Sequence, residues 1–163
     1  MFHERKANRL KGYNYSSKGM YFITISSYKS EPLFGRVLRN NGSYEGVELT
    51  EIGKIIENQL KTMSDYYDYA KIINFIVMPN HIHLILEIKE TSCTAKENRA
   101  NAAVPMFVSS MKRFVNKKVG YDVWHRSYHD HIIRNDEDFT KIFEYISDNP
   151  RRWAEDRFYY DFD

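Results

Sequence analysis

The chain has 163 residues, 42% of them hydrophobic, which is enough for one globular domain with a buried core. Its formal charge of +2 at pH 7 excludes a globally basic nucleic-acid binder, and its lone Cys93 excludes a disulfide framework or a cysteine zinc site. No apolar run reaches membrane-spanning length and charges stand where a signal peptide has its apolar core, so the expectation is a cytoplasmic protein with no membrane partner.

Residues 1–18 form a polar arm carrying Arg5, Lys6, Arg9 and Lys11, followed by a single domain over 19–163. Tyr21 to Ser27 reads as a first strand. Leu33 to Leu38 and Tyr44 to Leu49 flank Asn40-Asn41-Gly42, a hairpin signal. Thr50 is positioned to cap a helix whose apolar residues are Ile52, Ile55, Ile56, Leu60 and Met63. Ile72 to Val77 is a β-branched strand, and Pro79-Asn80 turns the chain into the next one. Residues 91–103 are polar and aperiodic, the pattern of a flexible surface loop. Val104 to Val119 reads as a helix with an outer face of Lys112, Arg113, Lys117 and Lys118, closed by Gly120. A short strand within Trp124 to Arg134 and a last helix complete the chain. This order predicts an α+β fold, a ferredoxin-like sandwich. Its antiparallel sheet carries helices on one face, and an extra C-terminal helix leaves the other face available for a site.

Two constellations stand out. In the strand after Asn80, Ile82, Leu84, Leu86 and Ile88 alternate with His81, His83, Ile85 and Glu87. Residues i and i+2 of a strand project from one face about 6.5 to 7 Å apart along the backbone, so His81 and His83 can converge on one metal ion. The apolar set faces the core, which places the histidines on the opposite, wetter face; two polar residues on a half-exposed strand are the plainer reading. In the last helix, Phe139, Ile142, Phe143 and Ile146 form an apolar stripe. Asp136 is the expected N-cap, and Pro150 ends the helix and biases Asn149 out of the helical region. Tyr145 and Asn149, four apart, stack on one flank of it.

Four stretches carry a family resemblance over nearly the whole chain: Gly19 to Ile25, Val77 to Ile85 with Met78-Pro79-Asn80-His81-Ile82-His83, Trp124 to Arg134 with Tyr128-His129-Asp130-His131, and Tyr145 to Pro150. In order and spacing they resemble the single-tyrosine HUH transposases, most closely the REP-associated tyrosine transposases. The resemblance implies DNA transposition through nicking and rejoining of single-stranded DNA hairpins. Tyr145 would be the nucleophile forming a 5′-phosphotyrosine, and His81, His83 and Asn149 would hold a divalent metal, Mg2+ or Mn2+. Ligand softness alone equally allows zinc at a histidine pair. Asp130 and His131 match a family Asp-His pair that would orient the site; a polar pair at a strand edge is the plainer account. The resemblance also implies a prokaryotic-type, nucleoid-associated protein working as a monomer or a homodimer.

Tyr128 is the rival nucleophile, but it has no companion ligand at helical spacing. Candidate DNA contacts are the basic clusters: Arg5, Lys6, Arg9 and Lys11; Lys112, Arg113, Lys117 and Lys118; and Arg151 with Arg152. Two further readings stay open: a non-catalytic, domesticated protein binding hairpin DNA or RNA, and a metal-dependent hydrolase in which water replaces the tyrosine.

Overall fold

The computed structural model describes residues 18–89 and 102–159. Arg5, Lys6, Arg9 and Lys11, Cys93 and nearly all of the expected loop lie outside the described residues.

Strand β1 (Gly19–Ser26) alternates, sending Tyr21, Ile23 and Ile25 inward, all fully buried. It pairs antiparallel with β5 (His81–Ile88) in a register that matches Ile25 to Ile82, Ile23 to Leu84 and Tyr21 to Leu86. That register unites the apolar residues on one face and necessarily places Thr24 beside His83 and Phe22 beside Ile85 on the other. With β4 (Ala70–Val77) and β6 (His129–Ile133), these strands form a sheet in the order β4-β5-β1-β6, all neighbours antiparallel. This is the ferredoxin-like order expected from the sequence.

Helices α1 (Glu51–Tyr66) and α2 (Ala103–Val119) cover the apolar face. Ile56, Leu60 and Met63 of α1 and Phe107, Val108, Met111 and Val115 of α2 join the sheet residues in one core. Thr50 caps α1 as expected, its Oγ1 accepting from Gly53 N at 3.1 Å. Gly53 is required there: a Cβ would fall 2.0 Å from the Phe34 carbonyl oxygen. The hairpin of β2 (Gly35–Asn40) and β3 (Ser43–Leu49) forms a separate ribbon between β1 and α1. Its turn residues Asn41 and Gly42 have φ of 49° and 82°, so the strands join by the left-handed turn that suits their twist.

Helix α3 (Asp136–Asp148) lies on the other face of the sheet, against β4 and β5. Three expectations about it need correction. Its N-cap is Asn135 rather than Asp136; the Asn135 side chain accepts from Asp138 N at 2.8 Å, which leaves Asp136 in the first turn beside the helix dipole. Its stripe is shallow: Ile146 is buried, but Phe143 is 39% exposed. Asn149 keeps helical angles, φ −56° and ψ −42°, despite Pro150, because its buried side chain packs into the site described next. Among the described residues no helix is long and apolar enough to cross a membrane.

Candidate active site

The histidine face is not wet. His81 is 0% and His83 3% exposed. Two elements that the strand pattern does not reveal cover them: α3, and the turn at Trp153–Glu155 with the residues that follow it. Phe158 stacks on His81 with ring centroids 4.4 Å apart, and Trp153 lies nearly parallel to the same ring at 6.4 Å.

Asn80 fixes this arrangement. Its Nδ2 donates to the carbonyls of Ser30 at 3.1 Å and Phe158 at 2.7 Å, so its Oδ1 is left facing His81 Nδ1 at 3.0 Å. An amide oxygen only accepts, so His81 carries its proton on Nδ1 and presents a bare Nε2. That Nε2 is 3.0 Å from His83 Nε2. Two donor atoms bound at right angles to one cation at about 2.1 Å are about 3 Å apart, so the pair has the spacing of ligands to a common ion. On its far side, His83 Nδ1 meets Thr24 Oγ1 at 2.8 Å. A hydroxyl donates or accepts, so Thr24 suits either tautomer of His83.

Oxygen ligands stand alongside. Asp156 Oδ2 is 3.7 Å from His81 Nε2, on a side chain 2% exposed. His81, His83 and Asp156 each bring one ligand atom within 4.8 Å of the others. Asn149 Oδ1 and Asp156 Oδ2 are both buried without a hydrogen-bond partner, a costly arrangement unless a cation satisfies them. The Asn149 amide lies close enough to His81, Tyr145 and Asp156 to influence the titration of all three.

The electrostatics point the same way. Burial holds the His83 imidazole down to about 3, aided by the charge of Arg157. Burial, then His83 and Arg157, hold His81 well below its ordinary value. Both rings are therefore neutral near pH 7, the form that binds metal. Burial pushes the Asp156 carboxyl up. The Tyr145 phenol is raised by burial and then by the negative charge of Asp156. A bound cation would favour the carboxylate and the phenolate alike. The donor set of two imidazoles with a carboxylate and an amide oxygen thus fits a divalent ion.

Tyr145 sits beside this group. Its ring meets His83 at 5.3 Å and Phe22 edge-on at 6.1 Å. It separates two clefts. One, of about 340 Å3, is lined by Phe22, Thr24, His83, His129 and Arg157 among others; the second, of about 820 Å3, includes Lys141, Arg151 and Arg152.

His81, His83, Tyr145 and Asn149 are thus brought together as the sequence reading expected. The other candidates divide: Asp130 and His131 line the smaller cleft with His83 and Tyr145, whereas Tyr128 and the α2 cations lie elsewhere. Tyr128 is 7% exposed and belongs to the core on the far side of the sheet. His131 Nε2 pairs with Asp138 Oδ2 at 2.8 Å, tying β6 to the first turn of α3. Asp130, in register with Ile23, lines the cleft that also contains His83 and Tyr145. Lys112, Arg113, Lys117 and Lys118 are on α2, the layer opposite the histidines. Of these, Lys112 Nζ donates to the carbonyl of His125 at 2.8 Å and Lys118 Nζ to Gln59 Oε1 at 2.9 Å.

Sequence reasoning missed Thr24, Asp156 and Arg157 and the bracing role of Asn80. The register of β1 against β5 reveals Thr24. Asp156 and Arg157 follow a helix-ending proline and belong to no periodic pattern.

No family model matches the chain. An uncharacterised Haemophilus influenzae protein is 32% identical over 177 residues, 98% of this chain and 95% of that protein. Another protein of the same organism, provisionally named a REP-associated tyrosine transposase, is 22% identical over 144 residues, 84% of this chain and 73% of its own length. The solved structure of a REP-associated tyrosine transposase bound to a REP hairpin superposes with a TM-score of 0.55 at 20% identity, covering 92% of this chain and 73% of that one. The two share a fold.

Proposed function

We propose that this chain is a member of the REP-associated tyrosine transposase family, and that it nicks and rejoins single-stranded DNA at hairpins through a covalent 5′-phosphotyrosine on Tyr145, a reading supported by its named relative and its shared fold. The observation that carries this reading is the packing of the Tyr145 ring, 5.3 Å from the His83 ring, beside two imidazole nitrogens 3.0 Å apart. A nucleophile next to a candidate metal site is the arrangement that phosphodiester transfer requires.

His81 and His83 would hold a divalent ion through Nε2, with oxygens from Asn149 and Asp156. When bound, such an ion supplies Lewis acidity toward a phosphate oxygen and charge to offset a developing phenolate. Magnesium or manganese is the assignment in keeping with the family. Tyr145 Oη forms a bond to phosphorus, the bond from phosphorus to the 3′ oxygen breaks, and that oxygen leaves as a hydroxyl after taking up a proton. The phosphodiester energy is kept in the tyrosyl ester, so reversal by another 3′-hydroxyl rejoins the strand without a nucleotide cofactor. Asn149, one turn beyond Tyr145, makes α3 a single rigid support for nucleophile and ligand.

The test is incubation with labelled single-stranded hairpin DNA and manganese, followed by denaturing electrophoresis. A labelled band that migrates with the protein and disappears on protease treatment supports the proposal. Cleavage without such a band assigns the chemistry to a water nucleophile. Tight hairpin binding with neither cleavage nor adduct makes the chain a non-catalytic binder.

A further inference from the structure

Four basic side chains face the two clefts that meet at Tyr145. Three are committed to carboxylates: Lys141 to Glu137 at 2.6 Å, Arg151 to Asp148 at 3.7 Å, and Arg152 to Glu155 at 2.9 Å. The fourth, Arg157, has no carboxylate partner among the described residues. Its guanidinium lies over the Phe158 ring, 4.6 Å from the centroid. Phe158 in turn stacks on His81, and its carbonyl accepts from Asn80 Nδ2 at 2.7 Å. The backbone bearing Arg157 is therefore fixed by the same residues that fix His81. The cleft that Arg157 lines also contains His83 and Tyr145. An oriented cation with no carboxylate partner among the described residues, beside a phenol and a histidine pair, is built for an anion.

We propose that Arg157 binds a non-bridging oxygen of the phosphate that Tyr145 attacks, and stabilises the negative charge that develops there. The proposal rests on the reading of Tyr145 as the nucleophile. During attack the Tyr145 Oη–P bond forms while the P–O3′ bond breaks; the phenol proton passes to solvent and the leaving 3′ oxygen takes one up. Charge on the non-bridging oxygens is the feature that a planar guanidinium fork recognises. The role also answers a local difficulty. The Asp156 carboxylate repels an incoming phosphate, and the neighbouring Arg157 offsets that repulsion.

The experiment measures the rate of covalent adduct formation at saturating hairpin DNA with manganese, for the wild type, Arg157→Ala and Arg157→Lys. Arg157 is exposed, so both variants should keep the wild-type melting temperature. Arg157→Ala should lose about 100-fold in rate, the size of effect expected for one transition-state donor. Arg157→Lys should recover part of it. Millimolar guanidinium should accelerate Arg157→Ala and leave Tyr145→Phe inactive. An Arg157→Ala rate within threefold of wild type overturns the assignment, as does a loss that guanidinium does not rescue. A wild type that forms no adduct overturns the underlying reading as well, so the two failures are distinguishable.

Discussion

His81 Nε2 and His83 Nε2 stand 3.0 Å apart in a space closed to solvent. Without an ion, this contact is satisfied only if one ring donates to the other. Asn80 already commits His81 to a proton on Nδ1, so the donor must be His83 Nε2, with Thr24 donating to His83 Nδ1. Holding an ion would require a bare His83 Nε2, so His83 would carry its proton on Nδ1 and Thr24 would accept from it. The site is poised between a hydrogen-bonded pair and a ligand pair, and a hydroxyl that works in both directions permits the exchange.

Metal binding is the first expected outcome. Manganese should raise the melting temperature of the wild type, and chelation should reverse the gain, because an ion that binds only the folded form stabilises it by mass action. His81→Ala and His83→Ala should lose both this response and adduct formation while still binding hairpin DNA. Asp156→Ala and Asn149→Ala should need more manganese for half-maximal stabilisation. A response of wild-type size in either histidine variant would put the ion elsewhere.

Thr24→Val tests the tautomer argument. Valine fills the space of threonine but neither donates nor accepts, so His83 loses its outer partner at 2.8 Å. Loss of such a partner typically weakens metal binding by about 10- to 100-fold. Manganese titration followed by calorimetry should show that weakening, with saturating metal restoring most of the adduct yield. An unchanged affinity would mean that Thr24 does not orient the ring.

Acid should destabilise the metal-free protein. His83 is held to about 3 in the fold against an ordinary value of 6.5, and His81 moves in the same direction. Between these values the unfolded chain binds more protons than the native one. Stability is therefore full above about pH 6.5 and falls as pH drops toward the folded value. From pH 7 to pH 5 this amounts to about 2 kcal/mol for each fully depressed histidine. Asp156 opposes the trend in part, since its raised carboxyl takes up protons in the native state first. Melting in the presence of chelator should show the decline, and His83→Gln should make it shallower, leaving the His81 contribution. A melting temperature that holds steady from pH 7 to pH 5 would contradict the buried neutral pair.

Much of this was legible in the sequence because it is local. The alternation around His81 and His83 places both on one face, Thr50 announces α1, and Asn41-Gly42 announces the hairpin turn. The spacing of Tyr145 and Asn149 makes them neighbours on α3. What could not be read depends on the chain after Pro150 folding back over the sheet. The hydrogen bond from Asn80 Nδ2 to the Phe158 carbonyl joins residues 78 apart. That closure buries the histidines, delivers Asp156 and aims Arg157, and no periodicity encodes it. The wet histidine face was wrong for this reason. The N-cap of α3 missed by one residue because Asn135 and Asp136 both have capping side chains, and only the backbone entry angle selects between them.

Binding should follow the placement of the basic residues. Arg151 and Arg152 line the larger cleft at Tyr145, whereas Arg113 and Lys117 project from α2 on the opposite layer. Log affinity for a hairpin with a single-stranded flank should fall linearly with log salt, by about 0.7 per phosphate neutralised on the single strand. The double change Arg151→Ala with Arg152→Ala should weaken binding and reduce that slope. Arg113→Ala with Lys117→Ala should do so less. The reverse order, measured by fluorescence anisotropy, would move the DNA path to the α2 layer.

The nucleophile is the decisive residue. Tyr145 is half-buried against His83 and Phe22, and its phenol is raised by burial and by Asp156, so it is a weak nucleophile until a cation offsets that carboxylate. Tyr145→Phe removes only the hydroxyl and keeps both ring contacts. It should fold, respond to manganese and bind hairpin DNA like the wild type, yet form no covalent adduct. Tyr128 lies 7% exposed in the core beneath the opposite face, without access to the histidine pair. Tyr128→Phe should therefore still form the adduct, provided the fold tolerates the loss of its hydroxyl, which its melting temperature reports. Mass spectrometry of the trypsin-digested wild-type adduct should place the nucleotide on the peptide from Ile142 to Arg151. An adduct that survives in Tyr145→Phe and maps to the peptide containing Tyr128 would reverse the assignment and detach the nucleophile from α3.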